Sequence, residues 1–491
     1  MNPESKLFIN GELVDAISGK TYSNINPVTE EAMGQVADAG PEDMELAITA
    51  ARRAFDETDW STNHKFRHSC LQQLKDGLLA VQDDLRDQIS AETGAPMGIC
   101  RGAGPQCDVP ISFIDYTLEN LPKFQWSRNI GDAEPLGVAS SRLVEKEAIG
   151  VAACVTPWNV PLQINLAKCI PALAAGCTVV LKPAPDTPWS ATMLGRVIKE
   201  YTDIPAGVFN IITAEDPLTV GQQLVADPRI DIVSFTGSTN AGRSIMASAA
   251  TTLKKVFLEL GGKSANIILD DADFNTALLS ALSVCFHAGQ GCAITTRLLI
   301  PESRKAEAEE LLKTYFGFIQ YGDPSAEDQI MGPLVNKRQY QHVLEYIEKG
   351  KAEGARLLLG GGRPAHIEKG YYIEPTVFMD VTNDMTIAQE EIFGPVLSVI
   401  TFKDDEDAIR IANDSIFGLS GAVSSADHER AMAVARRIRT GTISVNGGNY
   451  YGADAPFGGY KQSGLGREMG AEGFEEYLET KTIAIGIQAL A

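Results

Sequence analysis

With 491 residues, the chain has room for two or three domains at roughly 150 residues each, every one with its own core. Apolar residues make up 44% and charged residues 22%, the balance of a folded globular protein and not of a disordered one. The formal charge of -22, from 64 acidic and 42 basic residues, repels phosphate backbones and anionic lipid, so neither nucleic acid nor a membrane is an expected partner.

The first segment, MNPESKLFINGELVDA, has no basic stretch followed by an apolar run, and no later run reaches the ~18 apolar residues of a membrane span. A cytoplasmic location is the expectation. Eight cysteines (Cys70, Cys100, Cys107, Cys154, Cys169, Cys177, Cys285 and Cys292) are scattered without a Cys-x-x-Cys pair or zinc-spaced histidines, which predicts reduced thiols and no metal. Most should pack as small hydrophobes.

From about residue 148, short β-branched runs alternate with helical periodicity. The run AIGVAACV precedes a helix over 162–175, TVVLKP a helix over 190–200, GVFNII a helix over 218–226, and IDIVSFTG comes next. Repetition at this spacing predicts βαβ units in a doubly wound parallel sheet, with a nucleotide at the carboxyl ends of the strands. The runs KKVFLELGG and SANIILDD then lead to a helix over 274–287 that breaks at HAGQGC. A second α/β region spans roughly 288–450, with apolar runs RLLIP, TVFMDV, PVLSVITF and GTISVN and an amphipathic helix over 305–316. The join falls near Gly261.

Four segments carry chemistry. In IDIVSFTGSTNAGR a buried strand meets a small-residue turn and a helix start, the geometry that points N–H groups at a phosphate; Gly237 lets the backbone approach and the Ser238 hydroxyl can donate. An ordinary βα turn has the same pattern. HAGQGC presents Cys292 on an open glycine turn near helix termini, where a thiolate is favoured and a carbonyl carbon is its target, although most cysteines only fill cores. LELGGK puts Glu259 at an apolar strand end, where desolvation raises a carboxyl toward the range of a general base; the alternative is a glutamate paired with Lys263. TPWN places the Asn159 carboxamide at a strand-to-helix turn, able to stabilise an oxyanion or merely to cap the helix. The near match GLGREMG, at Gly464, Gly466 and Gly470, lacks the dinucleotide-loop spacing.

Taken in order and spacing, TPWN at 156–159, FTGSTNAGR at 235–243, LELGGK at 258–263, GQGC at 289–292, EEIFGP at 390–395 and PFGGYKQSGLGRE at 456–468 resemble the aldehyde dehydrogenase superfamily over essentially the whole chain. The resemblance implies Cys292 as nucleophile, Glu259 as the base activating the hydrolytic water, Asn159 with the Cys292 N–H as oxyanion hole, and Glu468 in a proton relay. It implies a cofactor, NAD with NADP as the other possibility, held by Thr156, Pro157, Trp158, Lys182, Pro185, Gly237, Ser238, Leu260, Glu391 and Phe393. It also implies an aldehyde tunnel lined by Val160, Ile164, Ala167, Phe286, Tyr451 and Phe457, apolar enough for a medium-sized aliphatic, aromatic or terpenoid aldehyde, or else simply core residues.

The implied domains are a cofactor domain over 1–126 and 148–260, a catalytic domain over 261–452, a return segment over 453–477, and a projecting β arm over 127–147 and 478–491. The arm would pair edge to edge with a partner subunit in a homodimer or homotetramer. Two features depart from the common pattern: Pro185 stands where many NAD-dependent members carry a ribose-binding glutamate, and Gly291 and Ala293 are small beside the nucleophile. The alternatives are a CoA-acylating dehydrogenase, a thioesterase-like hydrolase, and a catalytically silent structural homologue, with Glu259 and the full cofactor set speaking against the first two and the intact Cys292, Glu259 and Asn159 against the third.

Overall fold

The structure, a computed structural model, describes residues 2–326 and 329–487, so the last residues assigned to the arm, 488–491, lie outside the described residues. Five parallel strands form the centre of an eight-stranded sheet: Val151–Val155, Thr178–Lys182, Phe209–Ile211, Ile232–Thr236 and Lys255–Glu259. The chain begins in the middle with Val151–Val155, winds outward through Thr178–Lys182 to Phe209–Ile211, then returns to the other side of the first strand with Ile232–Thr236. That reversal leaves a crevice at the carboxyl ends of Val151–Val155 and Ile232–Thr236, the place where doubly wound sheets bind ligands.

Both faces of this sheet are covered, which is why its strands read as unbroken apolar runs. Ala152, Cys154, Val179 and Leu181 pack with Leu162, Leu166, Leu194 and Val197 on one face, while Val151, Ala153, Val180 and Val233 pack with Ala47, Ile48, Val220 and Leu224 on the other. Antiparallel strands close the edges, Leu7–Ile9 and Glu12–Val14 on one side and the short Gly464–Leu465 on the other.

Between Glu259 and Ala265 the chain crosses into a second sheet of seven strands, in which Ala265–Ile268, Arg297–Pro301, Thr376–Met379, Val396–Phe402, Gly421–Ser424 and Ser444–Val445 run parallel and Arg356–Leu359 antiparallel. A third sheet consists of Ser127–Ala133, Ser140–Ala148 and Leu478–Gly486, all antiparallel and largely exposed. Among the described residues, no helix is long and apolar enough to cross a membrane, and no His, Cys, Asp and Glu cluster is arranged to hold a metal.

The segment expected as one helix over 274–287 is different. It is α-helical only over Phe274–Ala277 and then tightens to a 3-10 helix over Leu278–Gly289. His287 and Ala288 enter the left-handed region at φ 48° and 53°, and Gly289 follows at φ 74°. A Cβ on Gly289 would collide with the Gly394 carbonyl, so this reversal needs glycine, and it ends the helix three residues before Cys292.

One buried cation ties the second sheet to its surroundings. Arg297 is 2% exposed and donates to the carbonyls of Lys263, Ile411 and Ala412 at 2.9, 3.0 and 2.9 Å and to Asn383 Oδ1 at 3.0 Å. Substituting Arg297→Met would strand these carbonyls without a donor, so the apparent melting temperature should fall by roughly 5–10 °C in a thermal scan. A shift under a degree would show that water replaces the guanidinium at little cost.

Candidate active site

Glu259 ends its strand inside the protein, 2% exposed, with Leu260 between it and the pair Gly261 and Gly262. The two glycines let a second chain segment close on the strand end. A Cβ on Gly262 would lie 2.6 Å from the Cys292 carbonyl, and one on Gly261 would overlap the Glu391 carboxylate. Cys292 is consequently brought face to face with Glu259, and the two side chains interact directly.

Burial pushes the Glu259 carboxyl up to about 8, with Glu468 adding to the effect and Lys168 opposing it. Burial also raises the Cys292 thiol well above its ordinary value, reinforced by Glu259 and Glu391 and only partly offset by the Ala293 N–H. The open glycine turn therefore does not by itself favour the thiolate. The thiol requires a proton acceptor, and Glu259 is the one in contact. Lys263 is not paired with Glu259: among the described residues its buried Nζ has no hydrogen-bond partner.

Asn159 Nδ2 donates to the Gln290 carbonyl at 2.9 Å, and the Asn159 carbonyl accepts from Gln106 Nε2 at 2.9 Å. The capping alternative is excluded, because the helix Pro161–Ala175 starts from Val160 with no side-chain cap. One amide hydrogen of Asn159 thus holds the loop that carries Cys292. Gln290 fixes the same loop, accepting from the Val335 N–H at 2.9 Å and donating to the His287 carbonyl at 3.1 Å. Glu468 lies behind Glu259 in a buried ion pair with Lys168 at 3.0 Å, and Lys168 rests over the Phe257 ring at 4.6 Å.

A cleft of about 820 Å³ opens at the crevice of the first sheet. Thr156, Pro157, Trp158, Lys182, Pro185, Gly237 and Ser238 line it. Lys182 is buried with, among the described residues, only the Pro183 carbonyl within hydrogen-bond reach, at 3.4 Å, and burial pushes its ammonium down to about 8. Ser238 caps the helix Thr239–Ala249 by accepting from the Ala241 N–H at 3.2 Å, and its own O–H is left to donate. Glu391 accepts from the Gly262 N–H at 3.0 Å, is pushed up to about 7 by burial, and stands two residues before Phe393, whose ring meets Trp158 edge-on at 5.3 Å. Leu260 lies outside this lining: it packs under Gly242 of the helix Thr239–Ala249.

Three lining residues had no signature in the sequence. The hydroxyls of Tyr22 and Thr236 are buried without hydrogen-bond partners among the described residues, and Glu215 contributes an exposed carboxylate. A spare ammonium, two orphaned hydroxyls, a helix N-terminus and a glycine turn form a donor set suited to a dinucleotide with a pyrophosphate.

On the other side of the thiol, Tyr451 contacts Phe113 and Phe457 at ring distances of 5.9 and 6.0 Å. Burial and the charges of Glu468, Cys292 and Glu259 hold its hydroxyl protonated, and Gln163 lies against it. Beyond them is a mostly apolar cavity of about 380 Å³ bounded by Phe113, Gln163, Leu166, Ala167, Ala453 and Phe474. Of the expected tunnel positions only Ala167 lines that cavity. Ile164 and Phe457 are buried, Val160 is half-buried, and Phe286 is exposed at the 3-10 terminus.

The aldehyde dehydrogenase family model matches residues 13–483. The chain is 43% identical over 486 residues to 3-succinoylsemialdehyde-pyridine dehydrogenase from a Pseudomonas species, covering 98% of this chain and 99% of that one. Among solved structures, betaine aldehyde dehydrogenase from Staphylococcus aureus in complex with NAD+ superposes with a TM-score of 0.94 at 36% identity, over 100% of this chain and 96% of that one. An aldehyde dehydrogenase C mutant from Pseudomonas syringae, in complex with NAD+ and octanal, gives 0.92 at 39% identity over 98% and 96%. The chain belongs to the aldehyde dehydrogenase family, and with it to the oxidoreductases.

The elevated Glu259 carboxyl has a kinetic signature. A base must be ionised to act, so the step that uses Glu259 should accelerate about tenfold per pH unit below a midpoint near 8 and level off above it. A pH profile of kcat checks this, and a limb centred near the ordinary carboxyl value of 4.5 would contradict the desolvated setting.

Proposed function

We propose that this protein oxidises an apolar aldehyde to the carboxylic acid through an acyl thioester on Cys292, with NAD held in the 820 Å³ cleft. The observation that carries this reading is the direct contact of the Cys292 thiol with a carboxyl group pushed up to about 8, beside the Asn159 carboxamide. Cys292 passes its proton to Glu259 and attacks the aldehyde carbon, and the oxygen that gains charge is met by Asn159 Nδ2 and the Cys292 N–H. NAD, when bound, supplies a hydride acceptor. Lys182, Ser238 and Glu391 would hold it, with Phe393 and Trp158 beside its reactive end.

The acyl group left on Cys292 is released by water. Glu259, once it has released the thiol proton to solvent, takes a proton from that water, the new C–O bond forms as the C–S bond breaks, and the sulfur leaves as thiolate. Glu468 and Lys168 lie behind Glu259 and give its proton a buried route away from the reacting carbon. A carboxylate at this position favours hydrolysis over acyl transfer to CoA.

The apolar character of the substrate is supported by Tyr451, Phe457 and Phe113 and by the 380 Å³ cavity behind them. The octanal complex of the Pseudomonas syringae relative fits the same class. The exposed strands Ser127–Ala133 and Leu478–Gly486 are edges whose N–H and C=O groups suit pairing with a second copy, in a dimer or tetramer working in the cytoplasm.

Cys292→Ala should lower aldehyde-dependent reduction of NAD below about a thousandth of wild type while leaving NAD affinity within about twofold. Glu259→Gln is the sharper variant. Rapid mixing should give a burst of reduced cofactor approaching one per active site, then very slow turnover, and a small added thiol should restore turnover by accepting the acyl group. Loss of both burst and rescue with normal cofactor binding would mean that Glu259 serves chiefly to deprotonate Cys292 or that the acyl group is not hydrolysed here.

A further inference from the structure

Position 185, where a carboxylate could meet a ribose 2′-hydroxyl, is proline, so another group must sense that hydroxyl. The cleft around Lys182 contains a candidate. Tyr22 lines the cleft with a buried hydroxyl that has no hydrogen-bond partner among the described residues. Glu92, Asp186, Asp38 and Glu215 lie close enough to oppose its ionisation.

Three of these four carboxyl groups are already engaged. Glu92 Oε1 accepts from Asn24 Nδ2 at 2.9 Å and from the Trp189 N–H at 2.6 Å. Asp186 accepts from Asn336 Nδ2 at 2.8 Å, and Asp38 accepts from the Glu215 N–H at 2.9 Å. The Glu215 side chain lines the cleft, is exposed, and has no hydrogen bond or ion pair among the described residues. Its neighbour Asp216 caps the helix Pro217–Ala226, and a Cβ on Gly221 of that helix would sit 3.5 Å from the Lys182 side chain. Glu215 is therefore an uncommitted carboxylate at the Lys182 end of the cleft, beside an uncommitted phenol.

We propose that Glu215 selects the unphosphorylated ribose, so that NAD is preferred over its 2′-phosphorylated counterpart without a carboxylate at position 185. The proposal rests on NAD being the cofactor. A ribose hydroxyl can donate to Glu215, whereas a 2′-phosphate would meet its charge and that of Asp186. Lys182 serves either form. Lys337 and Arg338 line the mouth from the opposite lobe, but both are exposed, and water and salt weaken charges acting across an open mouth.

The test titrates the full-length protein calorimetrically with adenosine 5′-monophosphate and adenosine 2′,5′-bisphosphate, alongside kcat/KM for NAD and NADP. Wild type should prefer the monophosphate. Glu215→Gln should shift the ratio toward the bisphosphate by about fivefold or more, less at high salt, and Glu215→Arg should shift it further. Adding Pro185→Glu to Glu215→Gln should restore the original preference. An unchanged ratio in Glu215→Gln, or a wild type that prefers the bisphosphate, overturns the assignment. Discrimination between the fragments without aldehyde-dependent reduction would sink the proposed reaction and leave Glu215 assigned, and binding of neither fragment would sink both.

Discussion

Glu259 sits at a strand end out of water, with its Oε1 lacking a hydrogen bond from any described group. An ionised carboxylate there would cost several kcal/mol in lost hydration, and the protein meets that cost by keeping the proton on until a reaction needs the base. The surroundings set how far this goes. Glu468 deepens the effect, Lys168 limits it, and Lys168 is itself buried against Phe257 and paired with Glu468. Loss of Lys168 would raise the carboxyl further, and loss of Glu468 would lower it. The rest of the site is arranged around this desolvated carboxyl: the glycine pair that admits the Cys292 loop, the Gln290 side chain that fixes the loop, and the left-handed turn that ends the 3-10 helix.

The chain crosses between its two sheets at the same place. The strand Lys255–Glu259 closes one sheet, Ala265–Ile268 opens the other, and the residues between them touch the nucleophile loop on one side and Glu391 on the other. Lys182, Gly237 and Ser238 lie at strand ends of the first sheet, and Cys292 lies just before the strand Arg297–Pro301 of the second. The junction brings them together because Gly261 and Gly262 have no side chains to hold the segments apart.

Much of this was legible in the sequence because the first sheet is covered on both faces, and covered parallel strands read as unbroken apolar runs such as VAACV and TVVLK. Cys292, Glu259 and Asn159 stood out because each lies at an element end beside glycine, proline or tryptophan. Other features are created only by folding. Lys168 and Glu468 pair across 300 residues, and no local pattern announces such a pair. Tyr22, Glu215 and Thr236 meet at one cleft from three separate segments. Leu260 turns its side chain into the core while its neighbours face the site, an orientation that the run of residues does not announce. The N-terminal strands Leu7–Ile9 and Glu12–Val14, at three residues each, are too short to carry a periodic signal.

Burial has a common result across the site. It lowers Lys182 to about 8 and Lys263 to about 7 and raises Glu391 to about 7 and Glu259 to about 8. Cations and carboxylates that would be fully charged in water are thus brought near neutrality from opposite sides. Such groups respond to an incoming charge more strongly than exposed ones, because the low local dielectric that shifts them also strengthens every new contact. A phosphate reaching Lys182 favours its protonated form, and hydroxyls reaching Glu391 favour its ionised form. Occupancy and protonation are therefore coupled in this cleft, and the coupling extends toward Cys292, because Glu391 is one of the groups that raise its thiol. An ionised Glu391 opposes a thiolate at Cys292, and a protonated one does not.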